Sequence, residues 1–405
     1  MRPGQGLLFI VFALLVTGTV LVNSAGLTSA NGSETTLQEL LVGRNTMFLV
    51  AALAALWLGT RVRVESIFAR RGWSSPIPWL LGVILLGLLL AHVPGIGKEV
   101  NGAKRWIALG PLSFQPSEIA KWGVPLIVAW HCCRRAGALN SFWQGFIQPF
   151  ALVSVICALV AVEDLGTAVL IMVVALAMLV SAGVRWWHVG LLLPVAGAAF
   201  VGLVVTSPYR VNRILAYLDP FADAQGKGYH VIQSMAAISG GGLPGRGLGN
   251  GIQKFGYLPE ATTDFIFSIA CEELGMGGAI GILLLFAMLA FTGLAIASAS
   301  ARVQTPGGEA RRVPLTTNYE SLVALGFTLT VSVQALINVA VVTGLAPTKG
   351  IALPLISRGG TGWILTAFSL GMLASIARVS EGRRRALEVA GVAQPEFDEG
   401  TPQPA

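Results

Sequence analysis

Ten mostly apolar runs, each close to the length of about 20 residues that crosses a hydrocarbon core, follow one another along the chain. They lie at 6–25, 45–62, 77–95, 115–133, 144–162, 164–183, 186–206, 265–298, 319–344 and 353–377. In lipid a single segment satisfies its own backbone only as a helix, so the pattern predicts an all-α polytopic membrane protein with ten transmembrane helices. An even number of spans returns both termini to one side. Placing the N-terminus inside puts fifteen of the 27 Lys and Arg residues in the cytoplasm and eleven outside, five of them in one long loop. Long loops translocate with little regard to charge, so N-in, C-in is the favoured orientation. The first run has a second reading as a cleaved secretory signal, because Arg2 precedes it and Ser24, Ala25 and Gly26 follow. Its apolar stretch is longer than a typical signal core, and either reading leaves the C-terminus inside.

Most connections are short, and residues 207–263 are the exception, a large extracytoplasmic loop holding most of the unusual sequence. A second outer segment, 94–114, carries Lys98, Glu99, Lys104, Arg105 and Trp106 in a half-apolar setting and predicts an interfacial or re-entrant piece. Residues 1–380 therefore read as one membrane domain, and 381–405, with Pro395 and Pro402, as a disordered cytoplasmic tail.

Composition agrees. Of the 405 residues 54% are hydrophobic and 12% charged, with a mean hydropathy of +0.72, against about 25% charged in soluble domains. The soluble classes are excluded. The net charge of +7 sits in short basic clusters between apolar runs, the pattern of cytoplasmic membrane loops rather than of a nucleic-acid surface. Cys132, Cys133, Cys157 and Cys271 lie in or beside apolar runs without metal-ligand spacing, and read as packing residues.

Polar residues that a bilayer normally excludes need a reason. Glu118 and Lys121, three apart, share a helical face and can neutralise one another; an internal ion pair and a ligand-binding role are both open. Asp164 begins the sixth span and is either a helix N-cap or a polar group in a cavity. Glu272 and Glu273, followed by Gly275, mark a candidate helix break. Asp264 stands where the long polar loop meets an apolar helix. There a helix N-terminus favours its anion, while desolvation by Phe265 and Phe267 raises its pKa toward that of a general base. An ordinary acidic first-turn residue is the plainer alternative. Seven of the twelve residues from Gly240 to Gly251 are glycine, but no Gly-Lys-Ser/Thr ending follows, so this is not a nucleotide P-loop. A hairpin or tight helix packing accounts for it.

Six segments in order now carry a resemblance: Asn101 to Ile107 with Gln115 to Lys121; Asp164-Leu165-Gly166-Thr167; Arg213 to Pro220; Gly245 to Gly249; Tyr257 to Phe267; and Pro347 to Gly350 with Pro354 to Gly360. Over nearly its whole length the chain resembles the SEDS family, the shape, elongation, division and sporulation proteins of the bacterial cell wall. Pro347-Thr348-Lys349-Gly350 and Glu272-Glu273-Leu274-Gly275 are more similar to division than to elongation members.

The resemblance implies a peptidoglycan glycosyltransferase that polymerises lipid II at the outer face of the cytoplasmic membrane, at the division septum, with a class B penicillin-binding protein and divisome proteins as partners. It implies Asp264 as the catalytic residue. Because the donor linkage is α and the product β-1,4, the displacement inverts and needs a base and a cationic environment for the departing diphosphate. Arg105, Lys121, Arg213, Lys349 and Arg246 are candidates for that anion, with Arg358 beside them, and Glu118 and Asp164 complete the expected substrate-binding set. No cofactor is assigned, although a divalent cation at the diphosphate is compatible with the chemistry. Three segments depart from the family pattern: Thr262 replaces a usual His, Val162-Glu163 a usual Gln-Pro, and Ser357-Arg358-Gly359-Gly360-Thr361-Gly362 a usual Ser-Tyr-Gly-Gly-Ser-Ser. A lipid II flippase lined by Glu118, Lys121 and Asp164, and a division scaffold without activity, are the alternatives.

Overall fold

The computed structural model describes residues 2–26, 43–70, 72–100, 103–109, 112–304, 310–312, 318–348 and 350–389. Lys349, Asn101-Gly102 and the tail from 390 onward lie outside the described residues.

A helix occupies each of the ten apolar runs. They are α1 (Pro3–Gly26), α2 (Arg44–Arg61), α4 (Pro76–Leu90, after the short α3, Val64–Ala69), α5 (Pro116–Arg134), α6 (Gln148–Ala161), α7 (Leu165–Ser181), α8 (Trp186–Val205), α11 (Ile266–Ser300), α12 (Tyr319–Val342) and α13 (Thr361–Val389). The large loop contributes α9 (Pro208–Leu218) and α10 (Tyr229–Gly241) between α8 and α11. Six of the ten helices are individually long and apolar enough to cross a membrane, a π-helical turn at Phe142–Ile147 extending α6 to that length. Five helices have Pro in the first turn (α1, α4, α5, α6 and the loop helix α9), where its missing N–H costs nothing and its fixed φ suits the helix.

α12 is buried along most of its length, where it packs on α11, α5, α7 and α13 at the centre of the bundle. Most of α8 is exposed and lies at the periphery. The most extensive helix packing is α2 on α13, where a Cβ at Gly59 would stand 2.2 Å from the carbonyl of Phe368 and one at Gly371 2.2 Å from that of Leu56. Two glycines let these backbones touch.

Three segments differ from the sequence expectation. The interfacial or re-entrant piece at 94–114 is a three-stranded antiparallel sheet, β1 (Gly97–Val100), β2 (Ala103–Leu109) and β3 (Leu112–Phe114), in the order β1-β2-β3. Lys98 pairs with Trp106 and Ile107 with Phe114. Alternation along β2 puts Arg105 on the same face as the buried Ile107, and so against the bundle. The last helix starts at Thr361 rather than near 353, because Pro354, Leu355 (φ 63°) and Gly360 (φ 44°) cannot join a right-handed helix. At the other end α13 continues to Val389, so the first nine residues assigned to the disordered tail are helical. A hairpin of β4 (Arg302–Gln304) and β5 (Ala310–Arg312) links α11 to α12.

The break anticipated at Glu272-Glu273-Gly275 is present, and it explains the glycine-rich segment. Gly275 has φ 67° and ψ −166° inside α11, which strands backbone groups that a continuous helix would pair. The glycine-rich segment supplies the partners: Arg246 N–H donates to Glu272 C=O (3.0 Å), Gly247 N–H to Glu273 C=O (2.9 Å), and Met276 N–H to Gly242 C=O (3.0 Å). A Cβ at Gly245 would lie 2.4 Å from the Glu273 carbonyl oxygen, so only glycine permits the approach.

Candidate active site

Asp264 ends the large loop two residues before α11, in an irregular turn that Glu260 enters with φ 54°. Left-handed backbone is rare for residues with a Cβ and concentrates at functional sites. The turn is held by main-chain acceptors on three successive residues. Thr262 C=O accepts from Arg358 N–H (2.8 Å), Thr263 C=O from Ser357 Oγ (2.5 Å), and Asp264 C=O from Asn338 Nδ2 (2.8 Å). Glu260 is tied into the same turn, its carboxylate accepting from Thr263 Oγ1 at 2.8 Å.

The Asp264 carboxylate faces Gly350, where a Cβ would stand 3.1 Å from Oδ2. Its pKa is pushed up to about 7, first by burial, then by the neighbouring Glu260 carboxylate and more weakly by Asp164; Arg213 and Arg105 oppose the rise. Burial therefore prevails over the helix N-terminus, consistent with Asp264 standing outside the first turn of α11. Those charges come from separate elements: Arg105 from β2, Asp164 from the start of α7, and Arg213 from α9.

Asp164 takes the first of the two roles that the sequence left open, the helix N-cap, and it also stands near a cation. It caps α7 by accepting from Thr167 N–H (3.0 Å) and Thr167 Oγ1 (2.8 Å), and its Oδ2 lies 3.9 Å from Arg105 Nη1. Arg213 Nη1 donates to Thr348 C=O at 3.0 Å, which anchors the guanidinium beside the loop that carries Gly350. His230, on α10, stacks against Phe265 with ring centroids 5.9 Å apart. Burial and Arg213 hold its pKa below the ordinary histidine value, and Glu260 opposes them.

The other predicted residues are placed elsewhere or at the rim. Lys121 is buried and its Nζ lies 2.7 Å from Glu118 Oε2, an internal ion pair against Gly362 at the start of α13. Arg246 belongs to a second cluster, its Nε 3.7 Å from Glu272 and donating to Gly240 C=O at 3.1 Å. That cluster also holds Lys254 and Glu273, 2.7 Å apart and about fully buried at 1% and 0% exposure. Ser24 of α1 donates to Glu273 Oε2 at 2.5 Å. The Arg358 backbone touches the Asp264 turn while its side chain is exposed.

Sequence reasoning gave no role to Glu260, His230, Asn338 or Ser357. Asn338 and Gln334 did carry a signal, two amides one helical turn apart within an apolar span. Among the described residues no group of three or more His, Cys, Asp and Glu side chains is arranged to hold a metal ion.

A ten-helix bundle with a broken helix, a strapped glycine-rich segment and a desolvated aspartate among arginines defines a membrane protein with a polar site at one end of its spans. The chain belongs to the cell cycle protein family of FtsW, RodA and SpoVE, whose model matches residues 5–382. Among its relatives is FtsW of Alkalilimnicola ehrlichii, named a probable peptidoglycan glycosyltransferase, 39% identical over 365 residues, which are 90% of this chain and 86% of that one. The protein of the same name from Marinobacter nauticus is 35% identical over 387 residues, 95% of this chain and 92% of that one. Two solved structures share the fold. A chain from work on the structural coordination of polymerization and crosslinking by a peptidoglycan synthase complex superposes with a TM-score of 0.70 at 29% identity, covering 92% of this chain and 97% of that one. The rod shape determining protein RodA of Thermus thermophilus gives 0.60 at 26% identity, covering 92% and 96%.

Proposed function

We propose that this protein is a peptidoglycan glycosyltransferase that polymerises lipid II, with Asp264 as general base. In the reaction the 4-hydroxyl of the GlcNAc of an incoming lipid II attacks the anomeric carbon of a glycan held as an undecaprenyl diphosphate. The new C–O bond forms on the face opposite the breaking C–O–P bond, the hydroxyl proton passes to Asp264, and undecaprenyl diphosphate departs with the electron pair. The observation that carries this reading is the Asp264 carboxylate itself, desolvated, with a pKa of about 7, so that it is a stronger base than an ordinary carboxylate and still half ionised at neutral pH. Arg213 and Arg105 lie near it and match the charge of the diphosphate. Asp164 orients Arg105 from the capped start of α7. Arg358, on the loop facing Asp264, is assigned to the same anion, and so is Lys349, which lies outside the described residues. Glu118 with Lys121, and Arg246, are assigned to supporting the bundle around the substrate.

The names of the relatives support this assignment, as does the synthase complex, whose description joins polymerization to crosslinking. On that basis a class B penicillin-binding protein supplies the transpeptidase, and the division-type relatives favour action at the septum with divisome proteins. The charge pattern favours both termini in the cytoplasm, which puts Asp264 and its loop on the outer face. No cofactor is part of the reading; a chelation control separates a divalent-cation requirement at the diphosphate.

The test is reconstitution of the purified protein in vesicles with labelled lipid II, with and without a class B partner, comparing wild type and Asp264→Asn on a glycan-length gel. Polymer from wild type and none from the folded variant is the expected result. Equal polymer from both removes Asp264 from catalysis, and no polymer from either, with lipid II crossing the vesicle membrane, makes the protein a flippase.

A further inference from the structure

The peptide that follows Asp264 is not held by the helix it introduces. Ser268 N–H, the group a regular helix would direct to the Asp264 carbonyl, donates instead to Phe265 C=O at 3.0 Å, and Ile269 N–H donates to the same oxygen at 3.3 Å. The helical ladder thus begins at Phe265, one residue beyond the carboxylate. The Asp264 carbonyl turns out of α11 to Asn338 Nδ2 on α12, 2.8 Å away.

Asn338 sits in the middle of a join between three parts of the molecule. Its Nδ2 also donates to Ile351 C=O at 2.7 Å, so one amide nitrogen uses both hydrogens on main-chain carbonyls of two different segments. One helical turn earlier, Gln334 Nε2 donates to Ala352 C=O at 2.7 Å. Residues 350–358 are thereby tied to α12, and they in turn grip the catalytic turn through Ser357 Oγ and Arg358 N–H. Leu355, at the centre of that loop, is with Glu260 one of two non-glycine residues with positive φ among the described residues.

The chemistry of the amide explains why an asparagine stands here. Asn338 is 1% exposed, and two inward-facing carbonyls that lost their donor would each be left buried and unsatisfied. Its own Oδ1 is buried without a hydrogen-bond partner, so the side chain is placed for its NH2 and not for its oxygen. The flipped amide would set three oxygens against one another, which fixes the orientation. Gln334, in contrast, reaches the loop but not the catalytic turn.

We infer that Asn338 is a positioning residue for the transfer reaction, holding the Asp264–Phe265 peptide plane and through it the direction of the Asp264 carboxylate. The inference rests on the reading of Asp264 as the base. Rotating a peptide plane alters the backbone angles on both sides, so freeing this carbonyl swings the carboxylate relative to Arg213 and Arg105, which stand on other elements. A displacement of about 1 Å is enough to cost about 100-fold in a positioned reaction.

The experiment compares initial rates of lipid II polymerisation over a range of lipid II concentrations for wild type, Asn338→Leu, Gln334→Leu and Asp264→Asn, each reconstituted with the class B partner and checked for monodispersity and thermal midpoint. Asn338→Leu is expected to lower kcat by about 100-fold with KM within about twofold, while Gln334→Leu, at a comparable loss of thermal midpoint, keeps kcat within about tenfold. A purely structural asparagine would instead lower both variants' kcat in step with their thermal midpoints, and that result overturns the inference. So does wild-type kcat in Asn338→Leu alongside an inactive Asp264→Asn, which leaves the base reading standing. Full activity in Asp264→Asn removes the base reading first and the inference with it. If Asn338→Leu yields no monodisperse protein, Asn338→Ala is judged by the same criteria.

Discussion

Lys254 and Glu273 form a salt bridge with almost no contact with solvent, and the consequence of breaking it can be worked from the structure. The side chains are 1% and 0% exposed and 2.7 Å apart. Lys254 Nζ also donates to Ser24 C=O at 3.1 Å, and Glu273 Oε2 accepts from Ser24 Oγ at 2.5 Å. In Lys254→Met the carboxylate keeps one hydroxyl donor and loses its counter-charge, and breaking a buried pair from one side costs about 3–5 kcal/mol. Replacing both partners by apolar groups removes the uncompensated charge, so Lys254→Met with Glu273→Leu is near neutral apart from about 1 kcal/mol for the hydrogen bond of Ser24. The assay is the half-life of the folded protein in detergent at a fixed elevated temperature, where about 1.4 kcal/mol is tenfold in rate. Lys254→Met is expected to shorten the half-life by roughly 100- to 4,000-fold, and the double variant by no more than about tenfold. A double variant whose loss equals the two single losses added together would refute the reasoning, since it would show the two charges acting independently.

Two further outcomes follow from the charges around Asp264. Its pKa rises from 3.8 to about 7, so its contribution to stability is fully present below 3.8 and is lost as pH climbs through about 7. Asp264→Asn, which stays neutral, should therefore exceed wild type in thermal midpoint at pH 8 by more than it does at pH 5, measured by scanning fluorimetry; a gap independent of pH would contradict the burial of the charge. Arg213 lowers the Asp264 pKa and Glu260 raises it, so Arg213→Gln should move the acid limb of the polymerisation rate upward in pH and Glu260→Gln downward. Shifts of the same sign in both would show that neither charge acts on the base.

The ten helices were legible because a span in lipid must be both long and apolar, and both features are local in sequence. The break at Gly275 was legible for the same reason, since two acids and a glycine interrupt an apolar run. The sheet at 97–114 was not, because short strands of mixed polarity carry little periodic signal and this sheet is held by pairing between neighbouring strands. Of the candidate site, Asp264, Arg105, Asp164 and Arg213 converge from four elements separated by up to 159 positions along the chain. Residue type and the family resemblance singled them out, but their proximity is a tertiary fact. Arg246 shows the limit of that reasoning: as an outer cation it resembled a phosphate ligand, whereas its partner is Glu272 on the broken helix. The Asn338 contact is equally tertiary, because it depends on where the main chain of a distant loop places its carbonyls.

The most direct test of the account is the pH dependence of kcat/KM for lipid II polymerisation by the wild-type protein with its class B partner, measured between pH 5.5 and 8.5 as flagged by the expected base near neutrality. A base must be deprotonated to act, so the rate should rise with pH through a midpoint of about 7 and level off above it, the value that burial and Glu260 impose on Asp264. A rate that stays flat across that range, or a limb that persists unchanged in Arg213→Gln and Glu260→Gln, would contradict Asp264 as the group that takes the proton.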